Sequence, residues 1–362
     1  MKQKKNFNLL ALLPGYYGGG AEKVMLTYVT ANKNKFISFK LFVSNAEGPL
    51  KKKNGNEKVE LRYKKFIYSI PKLLMEIRKN KISILFSSFP NISVLIIFLK
   101  LLGLHNCSIV VRQPNEIKKS LSGNLKLFFL RYLYIKLIHK TDLLIVTSNY
   151  MKSEIKTLNS KIKKVQILRN PVHIKKLRMG VRPVATKKDT IRLIYVGRLV
   201  YQKGLDIILK ILANKPKLEL LILGEGKELS NLKKIVSNEN FLSRVKFLGY
   251  INYPNNLISG SDYFILPSRW EGLPNCALES LGLGTPVITF NRINGLQDYK
   301  KSTKRNSIIF CSDEKDLSEK LNNLKKRKDY RNPKLRENLL KDFNDPKKYQ
   351  IKLNTAILKL ND

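Results

Sequence analysis

The chain has 362 residues, 43% of them hydrophobic, which is enough apolar material for two domains of ordinary size and argues against a disordered protein. Its 69 Lys and Arg residues against 27 Asp and Glu residues give a formal net charge of +42, which favours an anionic partner: a nucleic acid, an anionic membrane or a phosphorylated substrate. The three scattered cysteines form no disulfide framework, and no group of His, Cys, Asp and Glu has metal-ligand spacing, so we expect a reducing compartment and no metal site.

The chain opens with MKQKKNFNLLALLPG, in which a basic start precedes a short apolar run, as in a signal peptide. The run is very short and no small-residue cleavage pattern follows it, so we interpret residues 8–13 as the first β-strand. The longest apolar stretch, residues 92–104, is interrupted by Lys100 and is too short to span a bilayer. It therefore predicts a core helix.

Short apolar runs alternate with amphipathic stretches through the first half of the chain. The runs that read as strands are residues 8–13, 38–44, 82–88, 107–113, 142–148 and 164–170. Spacing of three and four between apolar residues marks helices at 70–80 and 125–140. Nearly continuous apolar strands separated by helices predict an α/β, doubly wound parallel sheet covered on both faces.

Residues 170–190 are basic, contain two prolines and a glycine, and show no sustained periodicity, which predicts a domain linker. Alternation then resumes, with strands predicted at 191–197, 218–224, 244–250, 262–268, 285–291 and 306–312. We expect an N-terminal Rossmann-like domain at residues 1–172 and a C-terminal one at 173–344. Ligands of such sheets bind beyond the carboxyl ends of the strands, so three loops that follow strands are candidate sites.

The first candidate loop is PGYYGGGAEKV, residues 14–24. Consecutive glycines let the backbone approach a ligand closely, and the helix that follows offers N–H groups to an anion. The loop lacks the GxGxxG spacing, and no acid ends the second strand region, so a nicotinamide-type site is poorly supported. A plain tight turn is the alternative.

The second candidate loop follows the strand at 191–197 and carries Arg198 and Lys203. A guanidinium fork and an ammonium point charge that converge on one spot would suit a diphosphate. In so basic a chain, two cations on one loop also occur by chance.

The third candidate is WEGLPNCALESLGLGTPV, residues 270–287, in which Asn275 is the predicted N-cap of a helix that Gly284 ends. Glu271 would lie on the loop and Glu279 on the second turn of the helix, both facing one cleft. Carboxylates accept hydrogen bonds from a ribose diol or a pyranose edge, and the first N–H groups of the helix would hold a phosphate. The alternatives are a solvated loop acid and an acid that stabilises its helix dipole.

The segments GGAEKV, VGRLVYQKGLD, LILGEG, VKFLGY and PSRWEGLPNCALESLGLGTPVI occur in this order. They resemble the retaining glycosyltransferase family 4 over essentially the full chain, most specifically in the C-terminal half. The Glu-x7-Glu signature of that family corresponds to Glu271 and Glu279. The resemblance implies the GT-B fold, in which two Rossmann-like domains face each other across a cleft, with a last helix at about 345–362 that packs back on the first domain.

The resemblance also implies a role for individual residues. Arg198 and Lys203 would hold the donor's diphosphate and Glu271 its sugar hydroxyls, and these three form the implied catalytic set. Glu279 would bind the nucleotide ribose. The other implied donor contacts are Gly19, Gly20, Gly224, Gly226, Gly272, Leu273, Pro274, Asn275 and Cys276. The implied reaction is hexosyl transfer with retention, without metal or cofactor, in which the two cations stabilise charge on the leaving phosphate.

Two segments depart from the family pattern. The histidine that many relatives carry after the strand matching SIVVRQPN is absent, since Arg112, Gln113, Pro114 and Asn115 stand there. Where the relatives have Gly-Pro-x-Glu, this chain has GLQD, within the segment NGLQD at residues 294–298. The departures bear on the donor sugar and on the level of activity, and we expect His105, His139 and His173 to be structural or solvated.

The first half of the chain, the acceptor side in such enzymes, is the more basic half: residues 1–175 hold 33 Lys and Arg and 8 Asp and Glu. The stretch 125–140 combines aromatic residues with Lys126, Arg131, Lys136 and Lys140, which suits a helix lying on an anionic leaflet. The alternative is that its apolar face is buried against the sheet. We predict a cytoplasmic protein, peripheral on the inner face of the cell membrane.

These observations predict a glycosyltransferase that moves a sugar from a nucleotide-sugar donor, UDP-linked, to a saccharide or lipid-linked acceptor in polysaccharide or lipopolysaccharide synthesis. One alternative is a UDP-sugar epimerase-like enzyme on the same fold, although such relatives use several acids and histidines that this chain lacks. The other is a basic protein that binds an anionic polymer without transferase activity. That alternative rests on charge alone, which a compositional bias toward Lys, Asn and Ile also explains, and no nucleic-acid-reading motif is present.

Overall fold

The computed structural model describes residues 6–31, 36–51, 58–121, 124–238, 241–327, 329, 331–332 and 334–360. Contacts between residues divide the chain into two units, Met1–Pro171 with Asn344–Asp362, and Val172–Phe343. The last two residues of the predicted final helix, 361–362, lie outside the described residues.

The first unit alternates strands with helices. Its strands are β1 (Phe7–Gly15), β2 (Ile37–Asn45), β3 (Lys58–Glu60), β4 (Ile84–Ser87), β5 (Ser108–Arg112), β6 (Leu143–Val146) and β7 (Val165–Ile167). Its helices are α1 (Gly20–Ala31), α2 (Ile70–Lys79), α3 (Pro90–Leu101), α4 (Ile117–Ser120), α5 (Leu125–Leu137) and α6 (Asn149–Leu158). The final helix of the chain, Pro346–Leu358, also belongs to this unit.

Within the described residues, the strands of the first unit form one parallel sheet in the order β3-β2-β1-β4-β5-β6-β7. β1 lies inside the sheet, and its side chains alternate between two cores. Leu9, Ala11 and Leu13 pack on one face, with α1 and the final helix. Leu10 and Leu12 pack on the other face, with the helices that follow β3 to β6. Because both faces are covered, the strands read as continuous apolar runs.

The second unit repeats this plan. Its strands are β8 (Ile191–Val196), β9 (Leu218–Leu223), β10 (Val245–Phe247), β11 (Tyr263–Leu266), β12 (Val287–Phe290) and β13 (Ile308–Cys311). Its helices are α7 (Ile174–Arg178), α8 (Leu205–Ala213), α9 (Leu229–Asn238), α10 (Asn255–Gly260), α11 (Asn275–Gly282), α12 (Asn294–Gln297) and α13 (Glu314–Asn322). The helix Pro346–Leu358 is α14. In the part of the chain described, the second sheet is parallel, in the order β10-β9-β8-β11-β12-β13.

The doubly wound parallel sheets that the alternation predicts are therefore confirmed in both units. The predicted linker, by contrast, is a structured part of the second unit from Val172 onward. Val172 is buried in the second unit's core, and the guanidinium of Arg178, at the end of α7, donates to the carbonyls of Gly282 (2.8 Å) and Arg336 (2.6 Å). The segment has no sustained periodicity because a few anchoring contacts hold it, and these leave no pattern in the sequence.

The apolar stretch at 92–104 forms most of α3, whose residues Ile92, Ile96 and Ile97 are buried in the first unit. None of the helices in the described ranges has the length and apolar character needed to cross a membrane.

Candidate functional site

The candidate site lies in the second unit, at the carboxyl ends of two neighbouring strands. β8 and β11 pair in parallel, so the loops that follow them, 197–204 and 267–274, lie next to each other. The first loop carries Arg198 and Lys203, and the second carries Glu271. Strand order thus brings together cations and an acid that lie far apart in the sequence.

Lys203 and Glu271 form an ion pair in which the lysine Nζ donates to Oε1 of the carboxylate. The hydroxyl of Ser268 donates to the same oxygen at 2.9 Å, and Glu271 is buried. A buried ion pair has to offset its desolvation cost through good geometry and additional hydrogen bonds, and Ser268 supplies one. Sequence reasoning missed Ser268, which reads as an ordinary residue at the end of a strand.

The pKa of Lys203 lies above its ordinary value. Burial acts to lower that pKa, but the charge of Glu271 and the hydrogen bond to it act in the opposite direction and outweigh burial. Lys203 is therefore a cation at neutral pH. The charge of Arg198 also acts on Lys203, in the direction that lowers its pKa, which places the two cations close together.

The side chain of Arg198 is exposed, and its backbone carbonyl is held by a hydrogen bond from β8. The buried Tyr195, on β8, donates from its hydroxyl to the Arg198 carbonyl at 2.9 Å. Burial raises the pKa of Tyr195 well above its ordinary value, and the nearby Cys276 and Glu271 add to that rise. The phenol therefore remains a hydrogen-bond donor, and it holds the loop so that the arginine side chain is presented to solvent.

A set of contacts through Arg269 joins the two loops. Its guanidinium makes a bidentate pair with Asp206 (2.8 and 2.6 Å) at the start of α8, and it lies 4.0 Å from the centre of the Tyr201 ring. Its backbone N–H donates to the Gln202 carbonyl at 2.8 Å, and the Gln202 side chain donates to the Trp270 carbonyl at 2.9 Å. The segments on either side of Lys203 and before Glu271 are thus fastened to each other. Sequence reasoning did not identify this set.

Gly224 and Gly226 lie against the loop that carries Arg198. Both have positive φ, 136° and 159°, and a Cβ on Gly224 would lie 1.9 Å from the Gly197 carbonyl oxygen. A Cβ on Gly226 would lie 2.2 Å from the carbonyl oxygen of Leu199. Glycine is required at both positions because the chain after β9 packs directly on this loop.

Residues 272–274 connect Glu271 to α11, and all three are buried. The side chain of Leu273 packs in the core of the second unit, so it can offer a ligand only its backbone. Pro274, with an extended backbone, precedes the helix, and Asn275 is its first residue. The prediction of Asn275 as N-cap is therefore wrong by one position, because the proline itself takes the non-helical conformation there. The helix ends at Gly282, and Gly284 has a φ of 84°.

Cys276 shows how close the charged groups of the site are. Burial raises the pKa of its thiol to about 12; the charge of Lys203 lowers it, and those of Glu271 and Glu279 raise it further. All three charged side chains therefore lie within electrostatic reach of this thiol at the first turn of α11. Glu279 is on the second turn, as predicted, and is partly exposed.

The segment NGLQD lies directly beside Glu271. Its Gly295, in α12, is packed so closely that a Cβ there would lie 1.8 Å from the Gly272 carbonyl oxygen. Arg292, just before the segment, donates from Nε to the carbonyl of Ser268 at 3.3 Å. The segment thus touches the backbone beside Glu271 through Gly295, the residue that agrees with the family pattern.

Gly19 and Gly20 belong to the first unit, where Gly19 ends the glycine-rich loop and Gly20 begins α1. Glu22, in the first turn of α1, is buried, and a Cβ on Gly19 would lie 2.3 Å from its Oε2. The start of this helix thus carries a carboxylate of its own. The donor contact assigned to these two glycines stays a prediction.

The histidines make local contacts. His105 is buried, with Nε2 3.0 Å from the Ile96 carbonyl, and burial lowers the pKa of its ring. His173 precedes α7 and accepts from the Lys176 N–H at 3.5 Å. Across the residues that the structure describes, His, Cys, Asp and Glu side chains form no group of three or more that would hold a metal ion.

Comparisons with known proteins point to one family for the second unit. Residues 181–341 match the sequence model of the family described as glycosyl transferases group 1. An uncharacterized glycosyltransferase of Methanocaldococcus jannaschii is 30% identical over 175 residues, which are 45% of this chain and 43% of that protein. The O-antigen biosynthesis glycosyltransferase WclY of Escherichia coli is 37% identical over 95 residues, 26% of this chain and 27% of that protein. The chain thus spans less than half the length of these curated relatives.

The whole chain is similar in fold to solved structures. HepE of Anabaena, crystallised in complex with UDP-glucose, superposes with a TM-score of 0.78 at 13% identity, over 97% of this chain and 99% of that one. At this identity the likeness shows the fold alone. The matched residues 181–341 include Arg198, Lys203, Glu271 and Glu279. The second unit therefore carries the sequence pattern of the group 1 glycosyl transferases, and the chain as a whole has the GT-B fold.

Proposed function

We propose that this protein is a glycosyltransferase that moves a hexosyl group from a UDP-sugar to a saccharide or lipid-linked saccharide acceptor, with retention and without a metal ion or cofactor. The observation that carries the proposal is the Lys203–Glu271 ion pair beside the exposed Arg198 and the start of α11. These groups sit at the sheet edge where α/β proteins bind ligands. UDP-glucose is the ligand named for HepE, and O-antigen synthesis is the process named for WclY, which supports a nucleotide-sugar donor and a cell-surface glycan product.

Each group of the site has a part in the proposed transfer. Arg198 and Lys203 would hold the diphosphate, with the first N–H groups of α11 adding partial positive charge. The charge that develops on the leaving phosphate would be stabilised by cations that are already in place, which needs little reorganisation. Lys203 suits this part because its pKa is raised and it stays charged.

The two carboxylates would bind hydroxyl groups. The two hydrogen bonds that Glu271 makes with the side chains of Lys203 and Ser268 both end on Oε1, so Oε2 is the atom we assign to a sugar hydroxyl. Glu279 is partly exposed on α11 and would accept hydrogen bonds from the ribose diol of the nucleotide. In the proposed reaction the leaving phosphate takes the acceptor's proton, so no side chain of this chain is assigned as the general base.

The direct test is a thermal-shift screen of the full chain against UDP and a panel of UDP-sugars, followed by hydrolysis and transfer assays. A ligand that binds only the native state raises the melting temperature by mass action. We expect Glu279→Ala to weaken UDP binding by about tenfold to a hundredfold, the loss expected for one or two hydrogen bonds to a charged group. Since Glu279 is partly exposed, folding should be unchanged.

The matched control is Lys233→Ala, which removes an exposed lysine from α9 in the same unit and should leave UDP binding as in the wild type. Equal UDP affinity in Glu279→Ala and in the wild type would refute the ribose assignment. Activity that a chelator abolishes, or a product of inverted anomeric configuration, would overturn the proposed reaction while leaving the donor site intact.

A further inference from the structure

Helix α5 in the first unit exposes large apolar side chains on its outer face. Leu125 is 84% exposed, Phe128 55%, Phe129 61% and Tyr132 54%. These residues are spaced at three and four along the helix and so share one side of it. The opposite side meets the core through the buried Tyr134. The alternative that the apolar face of this helix is buried against the sheet therefore fails for Leu125, Phe128 and Phe129.

The neighbouring helix α3 also exposes apolar side chains. α3 packs against α5, and its C-terminal end exposes Phe98, Leu101 and Leu102 by more than half. We name the surface formed by Leu125, Phe128, Phe129 and Tyr132 of α5 the apolar face. Several large apolar groups exposed on one side of a helix mark interaction sites more often than single exposed ones do.

The surroundings of the apolar face are basic. Residues 90–104 and 117–140 contain no Asp or Glu. The Arg131 guanidinium lies 5.2 Å from the centre of the Phe128 ring, and the Lys136 ammonium lies 5.8 Å from that of Tyr132. The other cations of these segments are Lys100, which is paired with Asp142, Lys119, which is paired with Glu116, and Lys118, Lys126 and Lys140. Apolar groups with cations beside them fit a partner that offers apolar and anionic groups together.

An anionic bilayer surface has both properties. Aromatic and leucine side chains insert at the boundary between headgroups and acyl chains, and Lys and Arg beside them attract anionic headgroups. A second copy of this chain fits less well, because it would bring its own net charge of +42 to a face that is already basic. We propose that the apolar face docks the first unit on an anionic membrane leaflet. This inference goes beyond the proposed function, because the docking requires neither donor nor catalysis.

The experiment is flotation of the full-length protein with vesicles of phosphatidylcholine, with and without phosphatidylglycerol. The wild type should bind the phosphatidylglycerol vesicles, and binding should weaken as salt is added because surface electrostatics are screened. The double variant Phe128→Ser, Phe129→Ser should lower the partition coefficient on the order of a hundredfold, since it removes two large inserting side chains. Lys126→Glu with Lys136→Glu should lower it on the phosphatidylglycerol vesicles specifically.

The matched control is Tyr253→Ser, which removes an aromatic side chain that is at least as exposed but lies in the second unit. It should bind vesicles like the wild type, and all variants should keep the wild-type melting temperature and UDP affinity. Equal binding by the Phe128/Phe129 variant and the wild type would overturn the proposal, as would equal binding to neutral vesicles. Sedimentation showing a dimer that this variant dissociates would instead assign the apolar face to a second copy.

Discussion

Glu271 is placed so that its charge decides the state of Lys203. Burial alone would lower the pKa of the lysine, and the carboxylate reverses that effect. The ammonium therefore depends on a single acid for the charge with which we expect it to bind phosphate. Removing either partner is destabilising, since it leaves the charge of the other buried without compensation.

We predict that Glu271→Gln lowers the free energy of unfolding by about 3–5 kcal/mol at neutral pH, the usual cost of breaking a buried ion pair. The folded-state pKa of Lys203 in the wild type is raised above 10.5, so the contribution of the pair is fully present below that pH. It is lost as pH rises through the folded-state pKa. Urea denaturation of the wild type and of Glu271→Gln across pH 7 to 11 measures this. The difference between their free energies of unfolding should be constant at first and then shrink.

In the variant, burial still lowers the pKa of Lys203, so sugar transfer should decline with rising pH at a lower pH than in the wild type. Ser268→Ala removes one hydrogen bond to Glu271 but no charge. Its comparison with Glu271→Gln separates the effect of the lost charge from the effect of a lost hydrogen bond. A variant whose transfer rate and pH profile both match the wild type would contradict the role of this pair.

The residues of the site could be predicted from the sequence to different degrees. Glu271, Glu279, Arg198 and Lys203 stand in recognisable segments at strand ends, and all four are in the second unit near the start of α11. Ser268 and Tyr195 act through single hydrogen bonds to those residues, and nothing in the local pattern distinguishes them from other strand residues. The N-cap was misplaced by one residue because proline is an unusual residue before a helix.

Among the structural elements, the loops after β8 and β11 act as one unit because Arg269 joins them. The bidentate pair with Asp206 and the stacking on Tyr201 both require the planar guanidinium. The pKa of Asp206 is held below its ordinary value, first by the hydrogen bond from Arg269, so the pair is charged at neutral pH. Arg269 is thus a positioning residue in the proposed transfer and touches no reacting group itself.

We predict that Arg269→Lys lowers kcat by about tenfold, because a small displacement of Lys203 and Glu271 misplaces the charges that stabilise the transition state. The KM for the donor should change less. Measured kcat and KM for Arg269→Lys, Asp206→Asn and the double variant form a double-mutant cycle, in which the double variant should lose little more than either single one.

The chain offers a matched control for this prediction. Arg192 and Glu219 form a similar pair at 2.6 Å near the amino ends of β8 and β9, the opposite edge of the same sheet. Arg192→Lys should lower stability without altering kcat. Equal effects of the two substitutions on kcat would show that Arg269 acts through general stability only.

The alternation of strands and helices was readable in the sequence because most strands of these sheets are apolar runs between amphipathic stretches. The strand β3, Lys58–Glu60, is not such a run, and it was not predicted. The pairing of β8 with β11 could not be read from the sequence, since parallel strands that are neighbours in a sheet are separated by crossovers along the chain. The contact between Asp206 and Arg269 depends on that pairing. Which face of α5 is exposed could not be predicted either, because the periodicity of a helix with apolar residues on both sides does not show which side is covered.

For the whole molecule, α14 is the element whose place in the chain and place in the fold differ most. It follows the second unit in sequence but lies in the core of the first, where Tyr349, Leu353 and Ile357 are buried. The buried hydroxyl of Tyr28, on α1, donates to the side chain of Asn354 at 2.9 Å. The core on one face of the first sheet is therefore completed by a segment that is translated after the second unit.

We predict that Leu353→Ala lowers the free energy of unfolding of the first unit by about 2–5 kcal/mol, the usual cost of truncating a fully buried leucine. The second unit should be unaffected. Hydrogen exchange resolved by segment measures both, with lost protection in β1 and α1 and unchanged protection in β8 and β9. Ile351→Ala, at an exposed position of the same helix, is the control, and its equal effect would contradict this assignment.

Because α14 is translated after the second unit but packs in the first, it also sets the order in which the two units can complete their folding. Residues 172–343 are continuous, so the second unit has all of its chain available before α14 leaves the ribosome. The first unit, although translated first, lacks Tyr349, Leu353 and Ile357 from one of its two cores until α14 has been made. The half of the molecule that begins the chain is thus the half that finishes folding last, and it is the half a chaperone would be expected to hold in the interval.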